Sequence, residues 1–448
     1  MFRKKHSLIK GTLILTSAGL VSRVLGFFFR IFLSHTFGEE QVGLYQLIFP
    51  FYALCLSLST SGLETAISRS VSRFHSLGRT QDGKLIFQTG LILSVLISLI
   101  CTFLVQKNSV FLSNRFLGDP RCATLLYLIV LALPAASVHS CICGYHYGLQ
   151  RTSVPAISQL IEQFVRISSV FVLYSIFIHS GVHPEIPLAV SGIIFGELAA
   201  AGYSLFSLKK KGFDADSPYI LSISKSCSEL LRLSVPLTVN RTAITFLQGI
   251  EAASIPVCLE LASHSAEALS IYGVLTGMAL PCILFPCALT NSVSLLLIPA
   301  VAQKQAESSS KETFLLIKKA AGGCFSLGLL CSVFFLLTGS FLGNFLFHST
   351  LAGNFIVTLA WICPFLYTSS ALLSAINGLG LTTLTLMINL LGLSIRILSV
   401  YFGIPHYGIT GYLWGLFISQ STVCLVALLT LSHEIKKEYL QSFESATD

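Results

Sequence analysis

Apolar segments of about 20 residues recur from one end of this 448-residue chain to the other. A helix of that length spans the hydrocarbon core of a bilayer and is longer than most buried helices of soluble proteins. Only 11% of the residues are charged, whereas a soluble domain has about 25%. We therefore expect an all-α membrane protein without a large soluble domain.

Twelve segments have the length and hydropathy of membrane spans, and we number them 1 to 12 in chain order. Span 1 follows a basic N-terminus that is typical of a signal peptide. The apolar stretch continues past Arg23 without a clear small-residue cleavage site, which favours a retained helix. The predicted spans cover residues 9–33, 42–64, 85–106, 122–144, 155–178, 187–208, 231–257, 270–300, 314–343, 352–377, 381–402 and 408–432.

The basic residues of the connecting loops alternate between the two sides of the membrane. Of the 22 lysines and arginines outside the spans, 19 fall on one side and three on the other. The side rich in these residues faces the cytoplasm, so we predict a multi-pass protein of the cytoplasmic membrane with both termini cytoplasmic. The net charge of +8 then reflects topology and does not indicate a nucleic-acid partner.

The two halves of the chain resemble each other at an offset of 230 residues. The segment from Gly148 to Arg166 aligns with that from Gly378 to Arg396. Each half has six spans, an even number, so both enter the membrane from the same side and form a parallel repeat. We predict two six-helix lobes related by a pseudo-two-fold axis, with the substrate site in the cleft between them. The predicted lobes cover residues 1–208 and 231–432, with an inter-lobe loop at 209–230 and a cytoplasmic tail at 433–448.

Two arginines lie inside span 1, seven residues apart, and therefore on the same face of a helix. One arginine at the centre of a bilayer costs about 2.5–3.5 kcal/mol on insertion-derived scales. We interpret Arg23 and Arg30 as an anion site flanked by the small residues Gly19 and Gly26. The alternative is structural: Arg30 extends to the outer interface and Arg23 pairs with a carboxylate.

A second polar face runs along span 7, where Arg241, Gln248 and Glu251 are at helical spacing. Span 7 opens the second half as span 1 opens the first, so we predict that both faces line one cleft and that Arg241 contacts the same anion. Separate buried ion pairs of Arg241 and Glu251 are the alternative. Glu64, at the polar end of span 2, is a cavity-lining candidate, but solvation near the cytoplasmic interface explains it equally well.

Span 5 carries Gln159, Glu162 and Arg166 on one face. Glu162 and Arg166 are four residues apart, a spacing that favours an intrahelical ion pair. The functional alternative makes Glu162 a proton or cation site and places Gln159 and Arg166 along the cavity.

The second half repeats part of this pattern. Asn389 and Arg396 take the places of Gln159 and Arg166, and Gly392 takes the place of the glutamate between them. Arg396 therefore has no glutamate four residues before it, which leaves it available as an anion ligand in this interpretation. Asn389 is a further cavity-lining candidate.

The remaining polar residues of the spans show no recognisable catalytic or metal-binding pattern. No phosphate-binding glycine loop occurs, and Cys141 and Cys143 are too close together for a paired metal motif. His139 and His146 are expected to be structural, and we assign no role to Glu197. We predict a protein that is not an enzyme and has no metal or other cofactor.

Several segments resemble those of one transporter family. They are Ser22-Arg23-Val24-Leu25-Gly26-Phe27 in span 1, Gly43-Leu44-Tyr45-Gln46 in span 2 and Tyr272 to Pro281 in span 8. These segments are similar to the stage V sporulation protein B group. That group belongs to the polysaccharide-transporter branch of the multidrug/oligosaccharidyl-lipid/polysaccharide (MOP) exporter superfamily and is related to the lipid II flippases. The resemblance covers essentially the whole chain and implies a MATE/MurJ-like fold.

The resemblance also implies a function. It predicts a flippase that moves an undecaprenyl-diphosphate-linked saccharide, either a peptidoglycan precursor or a polysaccharide repeat unit, across the membrane by alternating access. Arg23 and Arg30 would hold the diphosphate, with Arg241 and Arg396 as further candidates. The implied partners are the lipid-linked saccharide, membrane lipids and cell-wall synthesis enzymes, and the implied setting is sporulation. A coupling cation (Na⁺ or H⁺) or the membrane potential would drive transport.

Two other classes of function remain open. A cation-coupled multidrug antiporter of the same fold requires a carboxylate deep in span 1 or span 7; span 1 has none, whereas Glu251 lies in span 7. A membrane glycosyltransferase or ligase is less favoured, because its chemistry calls for large charged outer loops and the outer loops here are short.

Overall fold

A computed structural model describes residues 2–210, 221–263, 267–306 and 310–447. The described residues are nearly all helical, as the apolar segments predict. The middle of the predicted inter-lobe loop, residues 211–220, lies outside the described part. The side chains of the tail beyond residue 434 also lie outside it.

Spans 1 and 2 lie in one long helical stretch, Phe2–Leu56, which continues through a π-helical turn at Ser57–Ser61 into Gly62–Ser76. A straight helix of 55 residues would be about 80 Å long, far more than the ~30 Å of a bilayer core. The stretch is broken at Gly38, whose φ of 78° and ψ of 174° are not helical. A positive φ of this kind suits glycine because it has no Cβ. Gly38 therefore separates span 1 from span 2.

The other ten spans follow in the predicted order, and several are interrupted by short 3₁₀ or π turns. Their bounds are Thr80–Lys107 (span 3), Cys122–Ile129 with Leu133–Gly148 (span 4), Ser153–His179 (span 5), Pro187–Lys210 (span 6), Ile223–Ser263 (span 7), Ala268–Gly273, Leu280–Leu284 and Cys287–Ala306 (span 8), Ser310–Phe347 (span 9), Thr350–Leu359 with Cys363–Gly378 (span 10), Thr382–Leu398 with Ile404–Tyr407 (span 11), and Ile409–Thr447 (span 12).

The number of spans agrees with the sequence. Among the described residues, ten helices are long and apolar enough to cross a membrane, and a pair bent by 58° within span 8 supplies an eleventh. Since the first of the ten contains the break at Gly38, twelve spans result. The bend in span 8 lies beside Pro286. Proline has no main-chain N–H, so it interrupts the hydrogen bonding of a helix.

The internal repeat is visible in the local structure of spans 4 and 10. A 3₁₀ turn at Val130–Ala132 has a counterpart at Ala360–Ile362, 230 residues later. The helices that follow, Leu133–Gly148 and Cys363–Gly378, have the same offset at both ends. Matching irregularities are stronger support for a repeat than matching apolar residues, which all spans share.

Contacts divide the chain into two compact units, residues 1–253 and 254–448. The division falls within span 7, later than the loop at 209–230 where the sequence places it. The first part of span 7 packs on the first unit, where Ser57 and Thr242 share a hydrogen bond of 3.1 Å. Leu230 also joins the apolar core around Ile67 and Phe87. These contacts assign the entry to span 7 to the first unit.

Candidate functional site

The first unit contains a cavity of about 220 Å³ between its membrane spans, which we call the arginine cavity. Spans 1, 2 and 5 supply its walls. Its lining residues are Ser22, Arg23, Gly26, Phe29, Arg30, Leu33, Tyr45, Phe49, Gln163 and Arg166. Three guanidinium groups thus meet at one cavity. Arginine presents several donors in a planar fork, which suits it to bidentate binding of phosphate and carboxylate groups.

Helical periodicity in span 1 brings its part of the cavity together. Arg23, Gly26 and Arg30 follow one another at spacings of three and four, so they share a face. Gly26 faces span 5, and a Cβ built there would lie 3.2 Å from Gln163 Nε2, the end of a flexible side chain. Phe28 points away and is 62% exposed, as expected for a lipid-facing side chain.

Arg166 joins the arginine cavity to a second group of polar residues. Its guanidinium forms an ion pair with Glu162, one helical turn earlier in span 5. Its Nε atom is buried and has no hydrogen-bond partner in the part of the chain that the structure describes. Arg166 therefore lies between the Glu162 carboxylate and the cavity. Its Nε–H is a buried donor that Glu162 does not accept from.

Beyond Arg166, the side chains of His139, Glu162 and Glu197 form what we call the carboxylate cluster. One ligand-type atom from each lies within 4.8 Å of the others. His139 Nδ1 is 3.4 Å from Glu197 Oε2, and His139 Nε2 is 3.0 Å from Ser158 Oγ. Spans 4, 5 and 6 each contribute one member, so the cluster depends on how these three helices pack.

Close packing of spans 5 and 6 fixes the carboxylate cluster. A Cβ built at Gly196 would lie 2.8 Å from the main-chain oxygen of Glu162 and 3.1 Å from Arg166 Cβ. Only glycine allows this approach, and Glu197 follows directly in span 6. The small residue therefore brings the second carboxylate within reach of the first.

The predicted polar face of span 7 lies in the first unit but does not line the arginine cavity. Arg241 and Gln248 are exposed, and Arg241 interacts electrostatically with the half-buried Glu64. Glu251 is buried, with 5% of its surface exposed. A shared anion contact of Arg241 with Arg23 stays a prediction.

The remaining predicted residues are distributed between the two units. Gln159 is half-buried in span 5 of the first unit. Asn389 is exposed and Arg396 is half-buried, both in span 11 of the second unit. Their proposed roles in anion binding and cavity lining stay predictions.

Sequence reasoning missed several residues of these two sites. Tyr45 and Phe49 line the arginine cavity, although neither was predicted as a site residue. Glu197 received no role and His139 was expected to be merely structural, yet both belong to the carboxylate cluster. The available signal was a glutamate in the middle of a span, since an ionisable residue is costly there and usually has a partner.

Comparison with known proteins identifies relatives in Bacillus subtilis. The chain is 29% identical to stage V sporulation protein B of Bacillus subtilis (strain 168), over 98% of this chain and 87% of that protein. It is 25% identical to the lipid II flippase MurJ of the same organism, over 66% of this chain and 58% of that protein. It is also 21% identical to the sporulation protein YkvU of that organism, over 67% of this chain and 66% of that protein.

Solved structures of MOP-superfamily transporters have the same fold. An inward-facing multidrug resistance MATE transporter aligns with a TM-score of 0.72 at 15% identity, over 94% of this chain and 96% of that chain. A MOP-superfamily transporter from Pyrococcus furiosus aligns with a TM-score of 0.66 at 15% identity, over 97% and 96%. The predicted all-α, MATE-like membrane fold is confirmed, and the protein is a multi-pass membrane protein. The family of polysaccharide biosynthesis proteins matches residues 8–303, about two thirds of the sequence, and the chain belongs to that family.

Proposed function

We propose that this protein is a flippase that moves an undecaprenyl-diphosphate-linked saccharide across the cytoplasmic membrane by alternating access. The observation that carries the proposal is the meeting of Arg23, Arg30 and Arg166 at one cavity inside the membrane spans. Arginine is costly inside an apolar span and binds phosphate groups well, and a diphosphate supplies two adjacent charged groups for the guanidinium groups at this cavity. The relatives named stage V sporulation protein B and lipid II flippase MurJ support this class of substrate.

The finer parts of the proposal rest on similarity and on loop charge. We infer cytoplasmic termini from the distribution of lysine and arginine. A role in sporulation cell-wall synthesis, together with contacts to cell-wall synthesis enzymes, follows from the similarity to stage V sporulation protein B. The saccharide is either a peptidoglycan precursor or a polysaccharide repeat unit.

Flipping in liposomes tests the anion site. The full chain is reconstituted with a fluorescent undecaprenyl-diphosphate-linked saccharide, and the fraction accessible to an external quencher is followed with time. Arg23→Ala removes one cavity guanidinium, and we expect at least a tenfold slower rate, the equivalent of about 1.4 kcal/mol. Arg115→Ala, which removes an exposed loop arginine outside the cavity, is the matched control.

An unchanged rate for Arg23→Ala would overturn the anion site. Arg23→Lys keeps the charge but loses the planar fork, so we expect partial activity if contact with the diphosphate is bidentate.

The second candidate is a cation-coupled multidrug antiporter. Buried carboxylates favour it, since Glu162 and Glu197 lie inside the first unit and Glu251 is also buried. Cationic dye efflux from the same liposomes distinguishes the two: efflux without flipping of the lipid-linked saccharide supports the antiporter.

A further inference from the structure

We propose that the His139–Glu197 pair of the carboxylate cluster binds one proton, and that Arg166 couples this proton to the anion in the arginine cavity. The proton site is argued from the hydrogen bonds and charges of the cluster and does not depend on the proposed function. The coupling to an anion rests on the proposed function of the cavity.

With Ser158 donating to the main chain, the hydrogen bonds around His139 have a place for a second imidazole proton. The hydroxyl of Ser158 donates to Pro155 O at 2.9 Å, so its oxygen accepts the bond from His139 Nε2. Nε2 therefore carries the single proton of a neutral imidazole. His139 Nδ1 lies 3.4 Å from Glu197 Oε2. If Nε2 carries the one proton of a neutral imidazole, a hydrogen bond between these two atoms needs a second proton, on Nδ1 or on the carboxyl group.

The charges of the cluster lead to the same conclusion. Two carboxylates, Glu162 and Glu197, are matched by one guanidinium, that of Arg166. All of these side chains are at most 20% exposed. An unbalanced charge is costly in such surroundings, and one bound proton makes the group neutral.

Other titratable groups meet His139 from the surrounding helices. Glu64 interacts with it electrostatically from the end of span 2, Glu162 from span 5 and Glu197 from span 6, and Cys143 lies one turn away in span 4. Three carboxyl groups therefore face the imidazole from three other spans.

The hydroxyl of Tyr52 gives independent support for a site that changes its hydrogen bonds. It is buried and has no hydrogen-bond partner among the described residues. It interacts electrostatically with Glu197 and Glu162. A buried phenol beside two carboxylates is a donor for one of them when the proton leaves His139 or when Arg166 turns away.

Arg166 provides the link because it contacts both sites. When the His139–Glu197 pair has bound its proton it is neutral, so Glu162 alone holds Arg166 and the guanidinium is more easily drawn toward the cavity. When the proton leaves, the pair becomes negative and adds to the attraction of Glu162 for Arg166. Anion binding therefore favours proton uptake, and by reciprocity proton binding tightens anion binding.

Calorimetry with inorganic pyrophosphate tests the coupling on the purified full chain in lipid nanodiscs. Titrations in buffers of different ionisation enthalpy count the protons taken up on binding. We expect the wild type to take up close to one proton more than His139→Gln, and its affinity to rise by up to about tenfold per unit fall in pH relative to that variant. His183→Gln, which changes an exposed histidine, should behave as the wild type. Protonation of the probe itself is the same for all three and cancels.

Infrared difference spectra between about pH 11 and about pH 5, a range that extends well above ordinary histidine titration, test the proton site without any ligand. The spectral change of the pair should disappear in both His139→Gln and Glu197→Gln and persist in His183→Gln. Thermal unfolding of each variant verifies that it is folded.

The outcomes separate the two proposals. Equal proton uptake by wild type and His139→Gln, with pyrophosphate still bound through Arg23, overturns the coupling and leaves the anion cavity intact. No pyrophosphate binding by the wild type overturns the anion cavity, and the infrared spectra then decide the proton site. Identical spectra for wild type and Glu197→Gln overturn the proton site. Saturable binding of Na⁺ or Zn²⁺ that requires His139, without proton exchange, replaces the proton by a metal ion.

Discussion

Spans 5 and 11 are repeats of one another, yet among the described residues an ionisable cluster borders span 5 and none is found beside span 11. At the offset of 230 residues, Arg396 matches Arg166, but Gly392 replaces Glu162. Ser369 replaces His139 at the same offset. An arginine occurs at this position in both halves, whereas Glu162 and His139 of the first half are matched by an uncharged glycine and serine in the second.

In the second half, close helix packing occupies the place that the Glu162 side chain takes in the first half. Ser419 Oγ donates to Gly392 O at 2.8 Å, and a Cβ built at Gly392 would lie 2.6 Å from Val423 Cγ2. In the first half it is Gly196 of span 6 that approaches the main chain of Glu162. The small residue thus lies on opposite helices of the two pairs.

Spans 5 and 11 therefore share helix geometry more closely than they share chemistry. The same pair of helices can cross closely with glycine on either side. Only the arrangement with glycine in span 6 leaves room for a charged residue in span 5.

Removal of Glu162 tests the difference most severely. Glu162→Ala leaves Arg166 charged and largely buried without its partner, and we expect a loss of about 3–5 kcal/mol in the free energy of unfolding. Urea unfolding of the purified protein in detergent, followed by tryptophan fluorescence, measures it. Glu260→Ala, at an exposed position, is the control and should have little effect. A stability equal to that of the control would show that Arg166 does not depend on Glu162.

Addition of a side chain at Gly392 tests the packing on the other side. Gly392→Ala places a methyl group against Val423, and we expect a loss of about 1–3 kcal/mol from overpacking. Gly202→Ala is the matched control, because a Cβ there meets nothing within 4 Å and alanine favours a helix over glycine by about 0.5–1 kcal/mol. The same unfolding assay should therefore give opposite signs. Two stabilising substitutions would refute close packing at Gly392.

The smallest expected difference in stability between the two halves lies at the starts of spans 4 and 10. Asp119 and Ser349 are 230 residues apart, and each accepts a hydrogen bond from a nearby main-chain N–H. Burial acts to raise the pKa of the Asp119 carboxyl, but hydrogen bonds from Arg121 outweigh it, so this pKa is lower than usual.

A lowered pKa makes the contribution of Asp119 depend on pH. Its stabilisation is fully present above the ordinary aspartate pKa of about 3.9 and is lost as the pH falls through the lowered value. We expect Asp119→Asn to cost about 0–1 kcal/mol at neutral pH and nothing in strong acid, whereas Ser349→Ala should cost about 1 kcal/mol at both. Unfolding curves at neutral and acidic pH measure both variants. A cost of Asp119→Asn that does not change with pH would contradict the ion pair with Arg121.

Much of the fold could be predicted because long apolar segments have few alternatives. A chain in lipid must satisfy its own main-chain hydrogen bonds, so each apolar segment of sufficient length becomes a helix. The arginine spacing in span 1 was likewise predictable, since Arg23 and Arg30 must share a face. The third cavity arginine was not, because Arg166 reaches the cavity only through the packing of span 5 on spans 1 and 2.

The sequence by itself determined the spans, the repeat, the family and the placement of two arginines on one helix face, because these follow from local hydropathy and helical period. Tertiary structure alone decided that Arg166 connects the arginine cavity with a carboxylate cluster. It also decided that ligand-type atoms of His139, Glu162 and Glu197 lie within 4.8 Å of one another. These residues come from three spans, and His139 and Glu197 are 58 positions apart in sequence. Such contacts depend on which helices cross and where glycine lets them approach, and no local pattern encodes that.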